Sequence, residues 1–96
     1  MKLNKELQEF VDKNNVIIPP QNPQEISLEE LKTYFRQEKK LHCDIYFGAH
    51  SEKWEINNYI INIAKTKKYK LEIKSRLYDS YEDALEIILI EMSKLV

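Results

Sequence analysis

Within the stretch Tyr69-Lys-Leu-Glu-Ile-Lys-Ser-Arg-Leu-Tyr-Asp-Ser-Tyr-Glu-Asp-Ala-Leu-Glu-Ile-Ile-Leu89 the pattern changes from a period-two strand to a capped helix. The charge changes sign at the same point, from Lys70, Lys74 and Arg76 to Asp79, Glu82 and Asp83. Strand periodicity places alternate residues on opposite faces, whereas a helix gathers every third or fourth residue on one stripe. A chain that makes this switch after earlier strands is an α+β protein.

The earlier segments supply the rest of that class. Leu3, Leu7, Phe10 and Val11 fall on one stripe of a short N-terminal helix over 1–15, which Asn14-Asn15 should end in a left-handed turn. Pro19, Pro20 and Pro23 make 16–25 an extended connector, since proline fixes φ and has no N–H to donate. A domain over 26–96 follows. It opens on Ser27-Leu-Glu-Glu30, a capping box, with Ile26 and Leu31 placed as a hydrophobic staple. That helix buries Leu28, Leu31 and Phe35 and ends at Lys39-Lys40, cations suited to its negative pole.

Three strands come next. Leu41, Cys43, Ile45 and Phe47 should face the core, with His42, Asp44 and Tyr46 in water. In the second strand, Trp54 and Ile56 share one phase and Tyr59, Ile61 and Ile63 the other. A one-residue bulge at Asn57-Asn58 would bring both sets inward. In the third, Tyr69, Leu71, Ile73 and Leu77 are expected inside. Ser80 then caps the last helix, whose buried stripe is Tyr81, Ala84, Leu85, Ile88, Met92 and Leu95. The expected architecture is an α-β-β-β-α domain, a three-stranded antiparallel meander with two helices on one face, preceded by the short helix.

Composition narrows function mostly by exclusion. A chain of 96 residues with 43% hydrophobic and 32% charged residues is one small globular domain. Its net charge of −1 gives no overall pull toward nucleic acid or anionic lipid. No apolar run approaches membrane-spanning length, the N-terminus carries acids where a signal peptide needs an apolar core, and the single Cys43 suits a reducing cytoplasm. On the buried face, Cys43 is a small inert hydrophobe.

Catalytic and metal signatures are weak. His42 and Asp44 share a strand face and can exchange a proton, but no nucleophile joins them, because Cys43 points the other way. His50-Ser-Glu52 lies in a turn. Two histidines and one cysteine without paired spacing make no zinc site, and one glycine makes no phosphate-cradling loop. The expectation is a non-enzymatic protein with no metal or cofactor.

Two surfaces exceed what a minimal fold needs. Ile87 and Ile90 lie off the stripe of the last helix, where the N-terminal helix or a second copy of the chain would cover them. The wet sheet face should present His42, Asp44, Tyr46, Glu55, Lys70, Lys74 and Arg76, with Lys65, Lys67 and Lys68 in a turn at one end. Basic residues interleaved with tyrosines suit phosphates and stacked bases, or an anionic protein.

The helix–three-strand–helix order, with Gly48-Ala49-His50 in the first strand turn, resembles the double-stranded RNA-binding domain. That family grips phosphates with lysines at the start of its last helix, where this chain has Asp79, Glu82 and Asp83. Leu28-Glu-Glu-Leu-Lys-Thr-Tyr-Phe-Arg36, Trp54 and Tyr81-Glu-Asp-Ala-Leu85 together resemble small phage and prophage proteins, mainly of Bacteroidetes-type bacteria, and span about residues 26–96. Tyr-Glu-x-Ala-Leu also opens the helix of HicB-type antitoxins. The phage-type resemblance implies a protein that docks on a bacterial host protein. Its best-fitting role is an anti-CRISPR acting on an RNA-guided effector of type VI. Direct RNA or DNA binding by the sheet face, and a self-associating or antitoxin-like protein, are the alternatives.

Overall fold

In this computed structural model, residues 3–14, 16 and 26–96 are described. Three helices, α1 (Lys5–Lys13), α2 (Leu28–Glu38) and α3 (Tyr81–Ser93), pack with six short strands. These are β1 (Leu41–His42), β2 (Ile45–Gly48), β3 (Lys53–Ile56), β4 (Tyr59–Asn62), β5 (Lys67–Lys70) and β6 (Leu77–Tyr78). The fold is α+β. The connector expected over 16–25 lies, except for Val16, outside the described residues.

Local chemistry sets the helix starts. Ser27 Oγ accepts from the Glu30 N–H at 3.1 Å while the Ser27 N–H donates to Glu30 Oε1 at 3.0 Å, so both halves of the capping box form. Ser80 caps α3 through the Asp83 N–H at 3.0 Å. At α1 the side chain of Asn4 accepts from the Glu6 N–H at 2.7 Å, a cap not anticipated from the sequence. The helix ends at Asn14, as expected, but by another means. Asn14 has φ −99°, not a left-handed value, and its Nδ2 donates at 2.9 Å to the Phe10 carbonyl, which also accepts the Asn14 N–H at 3.0 Å.

The meander is present, but it is broken across its width into two three-stranded antiparallel sheets, β1-β4-β5 and β2-β3-β6. Each of the three long strands is interrupted on the same line, at Cys43-Asp44, at Asn57-Asn58 and over 71–76. Backbone bonds extend each ladder by one step into that line: the Asn57 N–H donates to Asp44 O at 3.0 Å, Leu71 N–H to Asn58 O at 2.8 Å, and Ile56 N–H to Arg76 O at 2.9 Å. The break is therefore hydrogen-bonded rather than open.

Register decides which side chains meet the helices. Between the pairs Ile45–Ile56 and His42–Ile61 the first strand has two residues and the second has four. The insertion at Asn57-Asn58 is thus two residues, not one. An even insertion leaves the face unchanged, so Ile56 and Ile60 are both buried while Tyr59, Ile61 and Ile63 point away from the core. Between Glu55–Leu77 and Tyr59–Lys70 the third strand carries six residues against three, an odd excess. That flips the face, so Leu77, expected inside, is 42% exposed on the outer side.

The core lies between the inner sheet faces and the helices. Leu41, Cys43, Ile56 and Ile60 meet Leu28, Leu31 and Phe35 of α2 and Ala84, Leu85, Ile88, Leu89 and Met92 of α3. The α1 stripe of Leu7, Phe10 and Val11 is buried in the same cluster, and the Phe10 and Phe35 rings stack with centroids 5.1 Å apart. Leu95, expected on the α3 stripe, is 41% exposed beyond the last full turn. Fully burying a side chain of this size stabilises the fold by about 1.5–3 kcal/mol, so the docking of α1 depends on these three residues.

Candidate binding surface

Pairing register fixes the outer face, turned away from the helices. On the β1-β4-β5 half it carries His42, Tyr59, Ile61, Lys68 and Lys70, and on the β2-β3-β6 half Tyr46, Gly48, Lys53, Glu55 and Leu77. The two halves differ in chemistry. The first has no acid at a paired outer position, and the second is centred on Glu55, which accepts from Ser51 Oγ at 3.1 Å and lies 3.5 Å from the Tyr46 hydroxyl. Gly48 lies under that carboxylate: a Cβ there would meet Glu55 Oε2 and come 2.6 Å from Ser51 Oγ.

The residues expected at the site are only partly gathered there. Lys68 and Lys70 share the outer face with Tyr59, and Tyr46 lies on the neighbouring half. Lys67 is on the opposite face, because it pairs with Asn62, which pairs with buried Leu41; its Nζ sits 5.1 Å from the Tyr69 ring centroid. Lys65 lies in the turn after β4, where its N–H donates to Asn62 Oδ1 at 2.9 Å. Lys74 is exposed in the irregular 71–76 segment, and the Arg76 guanidinium donates to Asn58 Oδ1. Among the described residues, none of Lys65, Lys67, Lys68, Lys70, Lys74 and Arg76 has a carboxylate within 4.0 Å. These cations have their charge available for something else.

Tyr59 and Leu77 belong to the surface and were not anticipated. Tyr59 is 40% exposed, and the Lys68 ammonium lies 5.6 Å from its ring centroid, within cation–π range. The sequence signal was available in principle: Tyr59 and Ile61 share a phase that only the size of the bulge assigns to a face.

Phe47 was expected in the core and is 53% exposed. It does point to the helix side, but it sits on an edge strand with Trp54 between its ring and Tyr81. The centroids are 5.4 Å apart for Phe47–Trp54 and 5.2 Å for Trp54–Tyr81. The helix layer reaches Trp54 and stops. Burial, reinforced by the neighbouring Glu29 carboxylate, pushes the Tyr81 phenol well above its ordinary value, and Lys32 Nζ donates to its oxygen at 3.3 Å. Across the same end of the sheet the Lys53 ammonium bonds Asp79 and holds its carboxyl below the usual range.

His42 Nε2 lies 2.9 Å from Asp44 Oδ1, a contact between neighbours two apart on the outer face. Cys43 is buried on the inner face, and burial pushes its thiol up to about 11. Among the described residues no group of three or more His, Cys, Asp or Glu is placed to hold a metal ion, and no helix is long and apolar enough to cross a membrane. Ile87 and Ile90 are half-buried against the core, and α1 packs against α3. They offer less free apolar surface than Tyr46, Phe47 and Leu77.

Comparison of the chain with family models, curated proteins and solved structures returns no match.

Proposed function

We propose that this chain is a non-catalytic, phage-type protein that docks on a bacterial host protein through the outer face of its meander. The observation that carries this reading is the combination on one face of exposed Tyr46, Tyr59 and Leu77 with cations that have no carboxylate partner among the described residues. Aromatic and aliphatic side chains supply the area an interface must desolvate, and unpaired cations supply orientation toward an anionic partner. An RNA-guided nuclease fits that description, since its surface combines protein with a bound polyanion. The resemblance of the Leu28–Arg36 and Tyr81–Leu85 segments to phage-type proteins favours an inhibitor of such an effector.

The test is capture by the tagged full chain from a nuclease-treated bacterial lysate, comparing wild type with Tyr46→Asp/Leu77→Asp and with Phe47→Ser. Recovery of an RNA-guided nuclease that is lost with the outer-face variant and kept with Phe47→Ser supports the reading. Capture that survives the outer-face variant unchanged contradicts it.

A further inference from the structure

We infer that the β1-β4-β5 half of the outer face binds a single strand of nucleic acid, with Lys68 and Lys70 on its phosphates and Tyr59 stacked on a base. This goes beyond the docking reading above: it names what the cationic half of that face takes, and it is tested separately. The five paired outer positions of this half are His42, Tyr59, Ile61, Lys68 and Lys70; the one nearby acid on that face, Asp44, lies beyond the last pair and is engaged by His42 at 2.9 Å. Lys68 and Lys70 are two residues apart on one strand, which separates them by about 7 Å. That separation is comparable with neighbouring phosphates along an extended strand.

Tyr59 pairs directly with Lys70 and lies diagonal to Lys68, so the ring sits beside both amines. Arg76 adds a third cation at the same junction, held by Asn58, the residue before Tyr59. An acidic protein segment would meet the amines with carboxylates and cover the ring with aliphatic area, whereas a nucleotide strand brings a phosphate and a flat base together at each step. An unpaired nucleotide uses both amines and ring, because every base has a π-face and every nucleotide a phosphate. A duplex keeps its bases stacked inside and offers this flat face only its backbone.

The experiment is fluorescence anisotropy of the full chain with a fluorescein-labelled oligouridylate of about 15 nucleotides, near the upper end of what one small domain covers. Wild type should bind, with affinity falling as salt rises at a log–log slope of about −2 for three phosphate contacts. Lys68→Gln/Lys70→Gln should weaken binding and reduce that slope to about −0.7. Tyr59→Ala should weaken binding about tenfold at an unchanged slope, and Tyr59→Phe should restore it. Phe47→Ser, on the other side of the sheet, should bind as wild type, and circular dichroism should report the same fold for every variant.

No binding by wild type overturns the inference. So does a Tyr59→Ala variant with wild-type affinity for the oligouridylate, which would leave phosphate contact without the stacked base. Neither result affects nuclease-resistant capture through Tyr46 and Leu77. Loss of that capture with oligonucleotide binding intact would remove the docking reading and leave this one standing.

Discussion

The ammonium of Lys68 lies 5.6 Å from the centre of the Tyr59 ring, on the face of the meander turned away from the helices. The two residues occupy adjacent strands on a diagonal, the arrangement in which long side chains of one sheet face meet. This contact exists because the strand break at Asn57-Asn58 inserts an even number of residues. One residue fewer would have turned Tyr59 into the core and Ile60 out to solvent.

Removing the Phe10 ring should lower stability by about 3 kcal/mol, the lower end of the range for aromatic-to-alanine changes in cores. Phe10 is buried and stacks on Phe35, which joins α1 to α2. Urea unfolding of Phe10→Ala should show a lower midpoint with an unchanged slope. An unchanged midpoint would mean that α1 contributes nothing to the domain.

Ser27→Ala should cost about 1 kcal/mol, the usual loss for a helix N-cap. The hydroxyl accepts from Glu30 at 3.1 Å, and the reciprocal bond from the Ser27 N–H survives the substitution, which limits the loss. Ser27→Asp should restore most of it. The same denaturation curves decide the point.

Thr66 turns the chain into β5 with φ 53°, a left-handed conformation that a β-branched residue adopts at a cost of roughly 1–2 kcal/mol. Thr66→Gly should relieve that strain, less the entropy glycine loses on folding. The net expectation is a rise in Tm of about 3 °C by calorimetry. A fall would mean that Thr66 makes a compensating contact.

Cys43 should be unreactive in the native protein and should make stability fall in alkali. Burial holds its thiol protonated up to about 11, against an ordinary value of 9.0. Below pH 9 both folded and unfolded chains keep the proton, and the stabilisation is fully present. As pH rises from 9 to 11 the unfolded chain loses it first, so stability declines by about 2–3 kcal/mol across that window. The raised Tyr81 phenol acts in the same direction at higher pH. Urea midpoints at pH 8, about 9.5 and about 11 measure the decline, and Cys43→Ala should flatten it between the two lower values. Thiol labelling should require unfolding.

Much of the fold was legible because its signals are local. The Ser27–Glu30 box, the Ser80 cap and the stripes of α1 and α3 each follow from residues within two turns of one another. The meander followed from alternation in three runs separated by turns. What the sequence did not disclose is a relation between strands. Tyr59-Ile-Ile-Asn-Ile63 is apolar in both phases, so alternation alone cannot choose between Ile60 and Ile61 for the core; the bulge size chooses. Leu77 was misplaced for the same reason, by the odd excess over 71–76. Phe47 has the right phase and still lies largely in solvent, because the helix layer ends at Trp54. On the outer face, the positions of Lys70 and Tyr46 were readable, whereas Tyr59 and Leu77 depended on register, Lys68 lies in β5 and not in the turn, and Lys67 fell on the other face.

The most direct test of the outer face as the binding face is a 15N–1H NMR titration of the full chain with the same oligouridylate. The amide shifts should concentrate at His42, Tyr59, Ile61, Lys68 and Lys70, fade toward Tyr46 and Leu77, and leave α1 and the Phe47–Tyr81 side still. Shifts centred on α1, on α3 or on Phe47 and Trp54, or no shifts at all, would contradict the assignment of this face.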